Sequence, residues 1–227
     1  MAAFTKLTPE AAGRRRRSRI SDADSSWSEL PLRLWPSATL IQGMNTALFD
    51  VLAKHEIETG RVQRVMVALS QIAFDMHGGF DAYKGKFEAL LSAHYAAAAI
   101  LHDGALSLAQ FTPARYDDPA LRSFAEEKVE VRADGALTDS QAEVDLILSD
   151  GGRLSAHCEH PLGAFENPLS PTQVEQKFRL YAADLLSQAH TEEAIDAVNR
   201  LEAFGSVREL MSLLRAGPRT RAMAAAE

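Results

Sequence analysis

The run Asp150, Gly151, Gly152 lies between two strand-like segments, AEVDLIL from Ala142 and RLSAHCEH from Arg153. So short a link leaves no room for a crossover helix, which a parallel pair requires. The two segments are therefore expected to pair as a hairpin, and a fully parallel, doubly wound sheet is excluded. Two more strand candidates precede them. KVEVRA begins at Lys128, and the β-branched run RVQRVMVALS from Arg61 alternates in part.

Helical spacing surrounds these strands. Leu40, Met44, Ala47, Leu48, Val51 and Leu52 recur on one face between Thr39 and Glu56, and Gly60 follows as a stop. The alanine-dense stretch Phe87 to His102 reads as one long helix ended by Asp103 and Gly104. A short helix is expected from Leu106 to Phe111 and another from Asp118 to Ala125, with Pro119 in its first turn. His77, Gly78 and Gly79 read as a loop. Beyond Pro168 three helices are expected, Pro171 to Ser187, Thr191 to Phe204 and Val207 to Leu214, the first capped by Ser170. The fold class that results is α+β: a mostly antiparallel sheet with helices packed on it, then a carboxy-terminal helical segment.

Residues 1 to 29 hold no periodic apolar positions and are expected to form a disordered tail containing Arg14, Arg15, Arg16, Arg17 and Arg19. The net charge of −7 argues against a general nucleic-acid binder, since binding a polyanion draws on a broad basic surface. Cys158 is the one cysteine, which excludes an intrachain disulfide and fits a reducing cytoplasm. No run approaches the roughly 18 to 20 apolar residues of a membrane helix, and no apolar leader follows the amino-terminal basic residues. A soluble, cytoplasmic protein without membrane contact is the expectation.

Four strings carry a resemblance: WPSATLIQGMNTALFDVL from Trp35, KFEALLSAHYAAAAILHDGALSLAQF from Lys86, DGGRLSAHCEHPLGAFENPLS from Asp150 and VEQKFRLYA from Val174. In this order and at these spacings they are similar to the carboxy-terminal half of the MmgE/PrpD family, which includes 2-methylcitrate dehydratase, cis-aconitate decarboxylase and iminodisuccinate epimerase. The resemblance implies an α+β lid over residues 30–167, helices over 168–216 that return to a large helical domain, and a frayed tail over 217–227. It also implies that the helical domain is missing here, replaced by the arginine-rich tail.

The resemblance further implies a lyase or isomerase that takes a proton next to a carboxylate of a small di- or tricarboxylate and needs no cofactor. Such chemistry requires a base, and cations to hold the developing negative charge. Most of these groups would come from the helical domain. The lid of the family adds a cation before an aromatic-proline pair, a histidine after it, and sometimes a tyrosine beyond the first lid strand. Arg33 before Trp35 and Pro36 supplies the cation, and a guanidinium suits a carboxylate. The histidine position falls near Ala38, where no histidine stands and Gln42 is the nearest polar side chain; the tyrosine position falls near Phe74. His77 and Tyr83 are then the catalytic candidates, and Arg33, Gln42, Ser92 and His94 the substrate-binding ones. Ser92, His94 and Tyr95 sit where a helix start could hold an anion, with capping and packing as the competing reading.

A metal site at His157, Cys158 and His160 is not expected, because strand alternation sends neighbours to opposite faces. Gly78-Gly79-Phe80 is too short for a nucleotide loop. Two functions remain. One is half of a split enzyme that works with a separately encoded helical-domain partner and forms a homo- or hetero-oligomer through Val174, Phe178, Tyr181, Leu185 and Leu186. The other is a truncated, non-catalytic module that self-associates.

Overall fold

The computed structural model describes residues 31–79, 83–203 and 205–215. The two tails, with the Arg14 to Arg19 run, lie outside the described residues. Contacts divide the chain into one unit over Glu29–Pro168 and another that holds the described residues from Leu169 onward.

In the first unit a four-stranded sheet is built from β1 (Val62–Leu69), β2 (Val129–Ala133), β3 (Ala142–Leu148) and β4 (Arg153–Cys158), in the order β2-β1-β3-β4. β1 runs antiparallel to β3, and β3 to β4, as the Asp150 turn requires. Gly151 takes a positive φ of 83° there, a conformation that favours glycine. The third pairing differs from the antiparallel expectation: β2 lies parallel to β1, in register from Val65 against Val129 to Leu69 against Ala133. The intervening chain is long enough for the crossover that a parallel pair needs. The sheet is thus mixed, and mostly antiparallel.

One face of the sheet carries the core, with Val65, Val67, Leu69, Val129, Val144 and Leu146 buried. Against it lie α1 (Gln42–Lys54), entered through a 3-10 turn at Thr39–Ile41, and α4 (Ala93–Asp103). Every residue from Ala93 to Leu101 is buried, because alanine lets α1 and the later helix α6 (Pro119–Lys128) approach closely. The opposite face is polar. Its cross-strand neighbours pair by charge, as in Arg64 with Glu130 at 3.3 Å and Arg153 with Asp145 at 2.6 Å.

Three local readings change. The helix expected from Phe87 to His102 is two, α3 (Lys86–Leu91) and α4, broken at Ser92, whose extended backbone and hydroxyl cap the second by accepting from the Tyr95 N–H at 3.0 Å. A helix unforeseen from the sequence, α2 (Gln71–His77), follows β1 under a Ser70 cap, so His77 ends a helix and does not lie in a loop. A further short helix, α5 (Pro113–Tyr116), precedes α6.

The second unit contains α7 (Pro171–Ala182), α8 (Gln188–Asn199) and α9 (Val207–Leu213). Ser170 and Gln173 close a capping box at the start of α7. The expected boundary near Ser187 moves because that serine caps α8, accepting from the His190 N–H at 3.2 Å, and so cannot sit inside α7. α8 packs on both neighbours.

Candidate functional site

Where β3 begins and β4 ends, the first unit opens into a groove of about 600 Å³. Its walls are residues 31–33, the loop 138–141 before β3 and the loop 159–166 after β4, with Thr39 and Gln42 between them. All three walls hang from the first turns of α1. Ser37 is tied to α1 through its hydroxyl oxygen, which accepts from Gln42 Nε2 at 3.0 Å and Asn45 Nδ2 at 2.8 Å. The Thr46 hydroxyl donates to the Gln42 carbonyl at 2.9 Å and accepts from the Leu162 N–H at 3.0 Å, holding the 159–166 loop. Gly43 lets the Ser140 carbonyl rest against the helix, where any Cβ would overlap it.

Two further contacts fix the walls. Asp139 adopts a positive φ of 46°, which aspartate tolerates better than most residues, and its carbonyl accepts the Ser70 hydroxyl at 2.6 Å. The Leu32 N–H donates to the Gly163 carbonyl at 2.8 Å, joining the first wall to the third. Trp35 stacks on Phe49 of α1 with centroids 4.9 Å apart and anchors the turn that follows Arg33.

Charge in the groove is unevenly distributed. Asp139, Glu159 and Glu166 contribute carboxylates against the single guanidinium of Arg33. His160 stands 3.8 Å from Glu166 and 4.0 Å from Glu159.

Of the six candidate residues, Arg33 and Gln42 line the groove, and the other four are not among its lining residues. His77 is buried at the end of α2 with Nδ1 3.0 Å from the Leu91 carbonyl oxygen, and burial pushes its pKa down. Ser92 and His94 are buried at the α3–α4 junction that His77 touches. This junction backs onto the groove turn, since the Ala38 N–H donates to the Leu90 carbonyl at 3.2 Å. Tyr83 packs edge-on against Tyr95 at 4.9 Å, with the Arg122 guanidinium 4.8 Å above its ring. Burial pushes its phenol up to about 12, and its hydroxyl has no hydrogen-bond partner among the described residues. His157 and Cys158 diverge as alternation predicts, His157 beside Glu143 on the exposed face and Cys158 buried.

Sequence reasoning passed over Ser37, Gly43, Asn45 and Thr46. A signal was present. Gln42, Asn45 and Thr46 recur at i, i+3 and i+4, a polar stripe on a helix otherwise read from its apolar face.

The MmgE/PrpD C-terminal domain matches residues 35–203. Cis-aconitate decarboxylase of Homo sapiens is 30% identical over 135 residues, and that of Mus musculus 28% identical over 134. Each alignment takes in 58% of this chain and only 28% or 27% of the relative. The match takes in the groove's second and third walls, Thr39, Gln42 and most of the helices beyond Pro168, with residues 31–33 just ahead of it, and the chain belongs to the MmgE/PrpD family.

Proposed function

We propose that this chain is the lid part of a lyase or isomerase acting on small di- or tricarboxylates, by dehydration, decarboxylation or epimerisation. Its site is completed by a helical domain supplied by another polypeptide. The observation that carries this reading is the groove itself, most of whose lining lies inside the family match, with Arg33 at its rim just ahead of that match and three carboxylates around it. One guanidinium can seat one carboxylate of the substrate. A groove with more acid than base cannot by itself stabilise a carbanion-like transition state, so further cations must come from outside this unit. α7, the turn after it and α9 carry exposed Leu180, Leu185, Val207 and Met211, and the helical partner or a second copy covers them. Arg33 faces the substrate and Gln42 braces the turn beside it; Ser92, His94, His77 and Tyr83 act from behind the turn or on the partner side.

The experiment is reconstitution. The full chain, alone and mixed with a helical domain of the family, is assayed with cis-aconitate, 2-methylcitrate and iminodisuccinate. Turnover is expected only in the mixture, and it should fall when Arg33 is replaced by Ala. A mixture with no turnover on any of the three defeats the proposal.

A second reading, a self-associating module without chemistry, draws on one observation. The acid-base candidates His77 and Tyr83 are not among the groove's lining residues. Self-association of the chain together with an inert mixture would favour it.

A further inference from the structure

Ser37, Gln42 and Asn45 are buried side by side beneath the groove rim, with exposures of 4%, 3% and 0%. Ser37 offers its two oxygens in two directions. Its hydroxyl oxygen accepts from Asn45 Nδ2 at 2.8 Å and Gln42 Nε2 at 3.0 Å, while its carbonyl accepts from Arg33 Nη1 at 3.2 Å. Gln42 Nε2 also lies within 3.3 Å of the carbonyls of Trp35, Ser37 and Ala38. Two amide hydrogens facing four acceptors leave none for a ligand. Gln42 therefore turns its donors inward and clamps the turn.

Asn45 shows the same bias at a cost. Its Oδ1 is buried and has no hydrogen-bond partner among the described residues, a penalty that an apolar side chain of similar shape would avoid. Packing alone does not account for an asparagine there. What the residue supplies is the Nδ2 donor to Ser37.

We propose that Ser37, and Asn45 acting through it, are positioning residues for Arg33, holding its guanidinium over the groove for one carboxylate of the substrate. The proposal rests on the polycarboxylate reading given above. Its physical basis is preorganisation: a long arginine side chain loses rotamer freedom when it binds, and a contact that restricts it beforehand strengthens binding. Because the Arg33 contact is to a backbone carbonyl, the serine hydroxyl acts by fixing where that carbonyl lies.

The test has two readouts on the full chain. The first is the order of the Arg33 Nε–Hε group by nitrogen-15 relaxation, the resonance being assigned through its loss in Arg33→Lys. Restraint is expected in the wild type and in Ser37→Thr, which keeps the hydroxyl, and greater mobility in Ser37→Ala and Asn45→Leu. The second is titration with tricarballylate, where losing one neutral hydrogen bond's worth of restraint should weaken binding about fivefold in Ser37→Ala. A purely structural role would lower thermal stability and leave both readouts unchanged. Equal Arg33 order in wild type and Ser37→Ala overturns the proposal. If Arg33→Ala abolishes tricarballylate binding and Ser37→Ala does not weaken it, the positioning role alone falls. If the wild type does not bind, or Arg33→Ala binds as well, the carboxylate reading and the positioning role fall together. Should Asn45→Leu fail to fold, the Ser37→Ala and Ser37→Thr pair still decides.

Discussion

α4 and α9 are both apolar helices, yet they end in opposite conditions. In α4 every residue from Ala93 to Leu101 is buried, because the sheet unit surrounds it with α1 and α6. In α9 no residue is buried, and Val207 and Met211 stand exposed. Across α7 and α8 the buried set is only Ala182, Thr191, Ala194 and Ala197. An apolar stripe gives stability only in proportion to the surface that covers it. The first unit supplies its own cover, whereas the helices after Pro168 present side chains with little cover from one another.

The comparison predicts its largest difference at paired leucines. Leu48→Ala, at a fully buried position of α1, should cost about 2–5 kcal/mol in urea unfolding followed by circular dichroism. Leu180→Ala, at an exposed position of α7, should stay within about 0.5 kcal/mol. Equal losses would mean that the two regions do not differ in this way. Next in size is Gly43→Ala. Its Cβ would overlap the Ser140 carbonyl oxygen, and backbone cannot swing aside as a side chain does, so about 1–3 kcal/mol should be lost. Hydrogen exchange should quicken in loop 138–141, and a silent substitution would show that the groove wall does not depend on this close approach.

Much of this contrast was legible in the residues, for reasons that differ by element. The β3–β4 hairpin followed from the Asp150 turn, and α7 from the Ser170 cap with Pro171 at its start. The parallel pairing of β1 with β2 was not legible, because nothing local in Val129 to Ala133 records which strand lies beside it. The break at Ser92 was half legible: capping was among the readings given to it, but Ala89, Leu90 and Leu91 before it and Ala93 after it carry the helical pattern through. At the groove, Arg33 was found through a motif, but the loops at 138–141 and 159–166 come together only in space. Asn45 and Thr46 were overlooked because a helix read from its apolar stripe gives no weight to a short polar one.

A third, smaller effect addresses the uncovered helices. Val207 and Met211 are exposed one turn apart on α9, so both face the same way. If a partner or a second copy covers them, Val207→Glu combined with Met211→Glu should reduce the weight-average mass seen in sedimentation over a range of concentrations, with little change in the unfolding midpoint. A wild type that stays monomeric alone and beside a helical domain of the family would sever the link between exposure and association.

The smallest expected effect lies inside the sheet unit and concerns pH. His77 is buried at the end of α2, and desolvation holds its pKa below the ordinary value of 6.5, with the hydrogen bond to the Leu91 carbonyl opposing only part of that shift. A histidine whose folded pKa is depressed binds its proton more readily in the unfolded chain. Its contribution to stability is therefore complete above pH 6.5 and declines as pH falls below that value toward the folded pKa. Protonation would also set a charge beside the α3–α4 junction, whose Leu90 carbonyl holds the Ala38 N–H of the groove turn. The unfolding midpoint of the wild type should thus drop between pH 7 and pH 5 more steeply than that of His77→Gln, which cannot charge and keeps an amide donor for the Leu91 carbonyl. Helices α7 to α9 contain only His190, exposed at the start of α8, so exchange rates measured there should follow pH alike in both proteins. Matching pH profiles for wild type and His77→Gln would show that burial of this ring costs the fold nothing on protonation, and that the junction behind the groove is not sensitive to acid.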